Sequence, residues 1–147
     1  MVCGFIGEPI VYEWEYFPLM DKIVDAAEEL IEQDGNTIFL IGTSGRFSKM
    51  AFNAAKSMYF HHPGTNYYRV LPFRSTCFSE NCSHFYTPEE VLNARPYTGL
   101  HESFKWIVNN SDVIISYIKD IRSKPATYVR FAAEQGKTVI SLGKCTF

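Results

Sequence analysis

Thr37-Ile38-Phe39-Leu40-Ile41-Gly42-Thr43-Ser44-Gly45-Arg46-Phe47 sets a five-residue β-type run directly before a glycine-bracketed turn and the first apolar residue of a helical pattern. Strands covered on both faces read as near-continuous apolar runs, whereas a helix shows its apolar stripe at three- and four-residue steps. The stripe here is Phe47, Met50, Ala51, Ala54, Ala55 and Met58. The stretch therefore reads as buried strand, tight turn and helix.

Four further runs rich in Ile, Val, Phe and Tyr lie at residues 2–6, 67–71, 112–117 and 138–142, each closed by Gly, Pro or a polar turn. Helical patterns separate them. Leu19, Ile23, Ala26, Ala27, Leu30 and Ile31 form one stripe, with Asp21, Lys22, Asp25, Glu28, Glu29 and Glu32 on the other face. Leu100, Phe104, Ile107 and Val108 form another, and a last helix begins near Pro125, which suits a first turn because its missing N–H would be unpaired there. Alternation of this kind requires crossover connections between parallel neighbours. The expectation is a single α/β domain over residues 1–147, a Rossmann-like three-layer sandwich with a mostly parallel five-stranded sheet in the order 3-2-1-4-5. Segment 73–97 is too long for an ordinary loop and is expected to be a lid or an interface. Tyr12, Trp14, Tyr16 and Phe17, interleaved with Glu13 and Glu15, read as an alternating stretch between the first strand and the first helix.

Composition narrows the partners. Lys+Arg total 14 against 16 Asp+Glu, a net charge of −2, so no diffuse basic excess exists to neutralise a phosphate polymer. On that ground no nucleic-acid polymer is expected as a partner. The 4 cysteines are too few for a disulfide scaffold in a chain this long. With no basic-then-apolar leader and no apolar run of roughly 18–20 residues, no membrane is expected and the location is read as cytoplasmic.

Ligands of open parallel sheets bind beyond the carboxyl ends of the strands. Gly42, Thr43, Ser44, Gly45 and Arg46 occupy such a position: glycines let backbone N–H groups approach an anion, hydroxyls donate, and a helix N-terminus adds partial positive charge. The same residues also fit a tight turn with a serine cap, since the spacing is neither GxGxxG nor a Walker A loop.

The glycine-bearing first strand, the G-x-x-G-x-F turn at Gly42 to Phe47, the Pro72-Phe73 strand end and the Asn110-Ser111-Asp112-Val113-Ile114-Ile115-Ser116-Tyr117 run together resemble the SLOG superfamily. That group includes the YpsA-like proteins, the DprA Rossmann domain and the Lonely guy phosphoribohydrolases. The resemblance implies a Rossmann-like fold and nucleotides or nucleotide-derived ligands, either bound or hydrolysed at the N-glycosidic bond. The departures matter equally. Lonely guy enzymes carry P-G-G-x-G-T-x-x-E with a catalytic glutamate; the corresponding stretch here is Lys124-Pro125-Ala126-Thr127-Tyr128-Val129-Arg130, which keeps Thr127 and puts Arg130 at the glutamate position. A guanidinium cannot serve as a general acid at neutral pH. YpsA-like sequences have Gly-His-Arg after the first strand, where this chain has Gly7-Glu8-Pro9.

Binding asks for less than hydrolysis: donors, cations and an apolar slot. The expected function is therefore sensing or sequestration of a nucleotide or nucleotide-derived small molecule. The expected ligand-binding set is Gly7, Glu8, Gly42, Thr43, Ser44, Gly45, Arg46, Arg74, Tyr117, Thr127 and Arg130, with Tyr117 or an aromatic of segment 73–97 stacking on a base. Two alternatives stay open: an N-glycosidic hydrolase with Glu8 as acid or base, and a protein-interaction module with a degenerate pocket. No cofactor is assigned. Cys77, Cys82 and His84 offer three ligands where structural zinc normally takes four, so no metal is assigned either. The aromatic opening suggests a homo-oligomer.

Overall fold

A computed structural model of the chain describes residues 1–75 and 83–147. In chain order the elements are β1 (Val2–Gly7), α1 (Glu13–Gln33), β2 (Ile38–Ile41), α2 (Gly45–His61), β3 (Asn66–Val70), β4 (Phe85–Tyr86), α3 (Glu89–Leu92), α4 (Gly99–Asn109), β5 (Val113–Tyr117), α5 (Lys124–Glu134) and β6 (Thr138–Ser141). The strands form one parallel sheet of six, ordered β4-β3-β2-β1-β5-β6. This is the expected Rossmann-like α/β architecture, with one strand more than the five expected. The extra strand, Phe85–Tyr86, is only 2 residues long, too short to show a pattern. It is fixed by backbone bonds, Arg69 N–H to the His84 carbonyl at 2.7 Å and Leu71 N–H to that of Tyr86 at 2.8 Å. Part of segment 73–97 is thus sheet edge and α3 rather than lid.

Successive strand residues point to opposite faces, so each strand feeds two cores. Phe5, Phe39, Ile41 and Ile115 pack under α1 and α2 with Phe47, Met50 and Ile23. Ile6, Ile114 and Ile118 pack under α4 and α5 with Val108, Ala126 and Val129. Each buried Phe, Ile or Met contributes about 1.5–3 kcal/mol through removal of apolar surface from water.

The aromatic opening is helical, not extended. Tyr12 is the N-cap of α1, its N–H donates to the Glu15 carboxylate at 2.7 Å, and Glu13 and Glu15 fill the first turn where negative charge is favoured. Six alternating residues also satisfy a helix when one of them lies four positions before the stripe, and Glu15 does so relative to Leu19. Both are buried.

β1 connects through α1 to β2 on one side, while β5 lies on the other side of β1. The carboxyl ends of β1 and β5 therefore open a crevice at the point where the strand order reverses. Among the described residues, no helix is long and apolar enough to cross a membrane.

Candidate functional site

At that crevice lies a slot of about 190 Å³ lined by Ile6, Gly7 and Pro9 from the end of β1, Ser44 from the turn before α2, Leu100 and Phe104 from α4, and Lys124, Pro125 and Tyr128 from α5. Its walls are mostly apolar, and no carboxylate lines it among the described residues. Phe104 and Tyr128 stack, with centroids 5.2 Å apart and planes 27° from parallel. The Tyr128 hydroxyl pairs with His101 Nδ1 at 2.7 Å. Burial, with Glu102 nearby, raises the Tyr128 pKa, so the phenol stays protonated. Ser123 caps α5 by accepting from Ala126 N–H at 3.3 Å, which leaves Lys124 exposed at the mouth of the slot.

The structure divides the expected site residues. Gly7 and Ser44 line the slot. Gly42 does not line it but approaches one wall: a Cβ there would stand 3.1 Å from the Phe104 ring. Gly45 has φ +87°, and a Cβ on it would come within 2.5 Å of Pro9 Cα. The turn is thus docked on the β1–α1 connection, and the Arg46 N–H already donates to the Pro9 carbonyl at 2.8 Å, so it is not free to cradle an anion. Ser44 is the N-cap of α2 but its side chain makes no capping bond; Thr43 is half-buried beside it. Arg46 straps the two connections together, donating to the Val11 carbonyl at 2.9 Å and to Glu13 at 3.0 Å, with its guanidinium 5.2 Å from the Tyr16 ring centre. Glu8 accepts from the N–H groups of Lys119 at 3.2 Å and Asp120 at 3.3 Å, outside the slot. Arg130 donates to the Ile121 carbonyl at 2.9 Å, and the Thr127 hydroxyl leans back on Ser123 at 3.4 Å. Arg74 is exposed beyond β3.

Tyr117 belongs to a second hollow. Its ring stacks on Phe47 and its hydroxyl donates to Glu15. Glu15 is only 5% exposed. Desolvation pulls its pKa up, but the Tyr117 hydroxyl, the Tyr12 N–H and the Lys119 ammonium at 3.2 Å together hold it below the ordinary value. Burial and the Glu15 carboxylate push the Tyr117 phenol the other way, upward.

Cys77 and Cys82 lie outside the described residues. His84 stacks on Tyr67 with centroids 4.0 Å apart, and no group of three metal-ligating side chains occurs among the described residues.

Exposed apolar side chains and cations occur in the segments near the carboxyl ends of the strands. Ile10, Tyr12, Trp14, Phe73, Tyr97, Leu100 and Ile121 are exposed large hydrophobics in segments that follow strand ends or lead into α4. Gly99, at the start of α4, holds that last segment against Pro72: a Cβ there would stand 2.1 Å from the Pro72 carbonyl oxygen. Arg74, Arg95, Lys119, Arg122, Lys124 and Lys144 are exposed in the same segments. Exposed carboxylates accompany them, Glu13, Glu89, Glu90 and Asp120, the last 3.9 Å from Arg122, while Asp21, Asp25, Glu28, Glu29 and Glu32 are exposed along the body of α1.

No family model matches the sequence, and no curated protein matches it significantly. Among solved structures the chain is similar to DNA processing protein A from Helicobacter pylori, described for its single-stranded DNA binding mode, with a TM-score of 0.64 at 14% identity. The likeness covers 99% of this chain and 66% of that one, so the chain spans just under two thirds of its neighbour's length.

The fold is thus Rossmann-like, similar to that of DNA processing protein A. The neighbour also corrects two expectations. A protein of this fold binds single-stranded DNA, so near-neutral charge does not exclude a nucleic-acid polymer, and the restriction to a sensed or sequestered small molecule falls with that exclusion. A net charge is summed over the whole surface and does not bar a local cationic contact. The glycosidic-hydrolase alternative loses its candidate acid or base, because Glu8 is turned to the Lys119 and Asp120 amides, and no carboxylate lines the slot among the described residues.

Ile6, Pro9, Leu100, Phe104, Lys124, Pro125 and Tyr128 are slot residues that sequence reasoning missed. The signal for Lys124 was its place in the first turn of the helix after β5. Phe104 read as core stripe, and nothing in the sequence marked Tyr128 as its partner.

Proposed function

We propose that the carboxyl edge of the sheet binds single-stranded nucleic acid, taking one base into the Phe104–Tyr128 slot and its phosphate to Lys124. The observation that carries this reading is a mostly apolar slot with Lys124 exposed at its mouth and no carboxylate among the described residues that line it. Proteins that bind single strands combine a cationic track with aromatic faces on which bases stack, and the stacking tolerates any base. A duplex keeps its bases paired and offers none to such a slot. The similarity to a single-stranded DNA-binding protein supports the same reading, as does the resemblance to the SLOG superfamily.

The test is fluorescence anisotropy with a labelled oligothymidine and a duplex of equal length. Preference for the single strand, weakened by Lys124→Ala and by added salt, is expected. Equal affinity for both, or no binding at low ionic strength, would overturn the reading.

A further inference from the structure

A second hollow, of about 390 Å³, opens between the start of α1 and the segment after β6, lined by Tyr12, Trp14, Lys22, Lys119 and Lys144 over the Glu15–Tyr117 pair. Its floor is electrostatically closed: Glu15 is buried against Tyr117 and Lys119. Lys119 is fully committed there, with its ammonium 2.8 Å from the Ile10 carbonyl, 3.2 Å from Glu15 and 4.7 Å from the Tyr12 ring centre. It therefore holds Tyr12 in place. Trp14 lies parallel to Tyr12 at 12°, with centroids 6.4 Å apart, and is 77% exposed. Lys144 is exposed on the opposite rim, while Lys22 reaches the Leu142 carbonyl at 3.4 Å. With Glu15 offset by Lys119, the hollow keeps the charge of two lysines beside an ordered, open aromatic face.

The hollow adjoins the first slot through two short segments. Pro9 lines one and Tyr12 the other, three residues apart, so the two lie within about 11 Å along the chain. On the second segment Lys119 lines the hollow and Lys124 the slot, five residues apart, within about 18 Å along the chain. Exposed Ile10 and Ile121 occupy the ground between.

Resting on the single-strand reading, we propose that the strand continues from the Phe104–Tyr128 slot into this hollow, stacking a neighbouring base on Trp14 and placing a phosphate at Lys144. The strand thereby crosses the end of the sheet from the α4–α5 face to the α1 face, and the Glu15–Tyr117–Lys119 cluster positions its second platform without touching it.

Trp14 is itself the reporter. The chain has 2 tryptophans, and Trp106 lies away from this hollow beside Tyr68 and Tyr86. In a Trp106→Phe variant, oligothymidines of increasing length are titrated while Trp14 emission and the anisotropy of an oligonucleotide label are read together. Quenching of Trp14 is expected once the strand exceeds the length that fills the first slot. Trp14→Ala should weaken the longer strands about tenfold, the worth of one stacked base, and leave the shortest binders unchanged. Lys144→Ala should make the salt slope shallower by about 0.7 for long strands. Binding by anisotropy with Trp14 emission unmoved at every length would overturn the second platform and leave the first intact. Absence of binding in both channels would overturn the single-strand reading and this proposal with it.

Discussion

Phe104 and Tyr128 lie ring over ring, 5.2 Å between centroids, although one belongs to α4 and the other to α5. One wall of the slot is therefore built by the packing of α4 against α5, facing Gly7, Pro9 and Ser44 from the strand ends. Phe104→Ala removes a wall and is expected to lower affinity for oligothymidine by about 1–3 kcal/mol, the range for a lost stacking partner, and to lower stability by about 2–4 kcal/mol. Tyr128→Phe keeps the stack and loses only the His101 bond, so about 1 kcal/mol of stability should go with affinity retained. Titration and chemical denaturation of both variants separate the effects.

Gly7 ends β1 against Phe47: a Cβ there would stand 2.3 Å from the Phe47 ring, which is fully buried and has nowhere to move. Gly7→Ala is expected to cost about 1–3 kcal/mol by overpacking, read as a lower denaturation midpoint with an unchanged m-value.

Arg46 faces the Val11 carbonyl and Glu13 rather than the slot. Arg46→Ala should therefore destabilise by about 1–2 kcal/mol through the lost bond to a backbone carbonyl, and leave oligothymidine affinity unchanged once measured on folded protein. A large loss of affinity would return Arg46 to the binding set.

Glu15 ties stability to pH. Its ordinary pKa is near 4.5 and its folded value is lower, so the unfolded chain binds the proton more readily. The stabilisation is fully present above about pH 4.5 and is lost as pH falls through the folded value. Glu15→Gln should reduce stability at pH 7 by about 1–3 kcal/mol, since Tyr117 and Lys119 face a weaker acceptor, and the gap to wild type should narrow as pH drops below 4.5. Melting both proteins across pH 3–7 checks the sign.

The fold was legible because the buried runs are nearly apolar and the helices between them carry clean stripes. Phe85–Tyr86 was not, because two residues have no period. The first turn of α1 was misread because Glu15, a charged residue at a stripe position, looks solvent-facing until Tyr117 and Lys119, more than 100 residues away, supply its partners. The site was half legible. Gly7, Ser44 and the neighbouring turn could be placed from strand ends, since topology alone brings those ends together. The arginines could not, because their geometry depends on which carbonyl each finds: Val11 for Arg46, Ile121 for Arg130.

Where a single strand contacts the protein is read most directly by photo-crosslinking an oligothymidine and mapping the modified peptides by mass spectrometry. Adducts on the peptides that carry Phe104 and Tyr128, with longer strands adding the Tyr12–Trp14 peptide, are the result predicted. Adducts confined to the exposed Tyr59 and Phe60 at the far end of α2, or none at saturating protein, would contradict binding at the carboxyl edge.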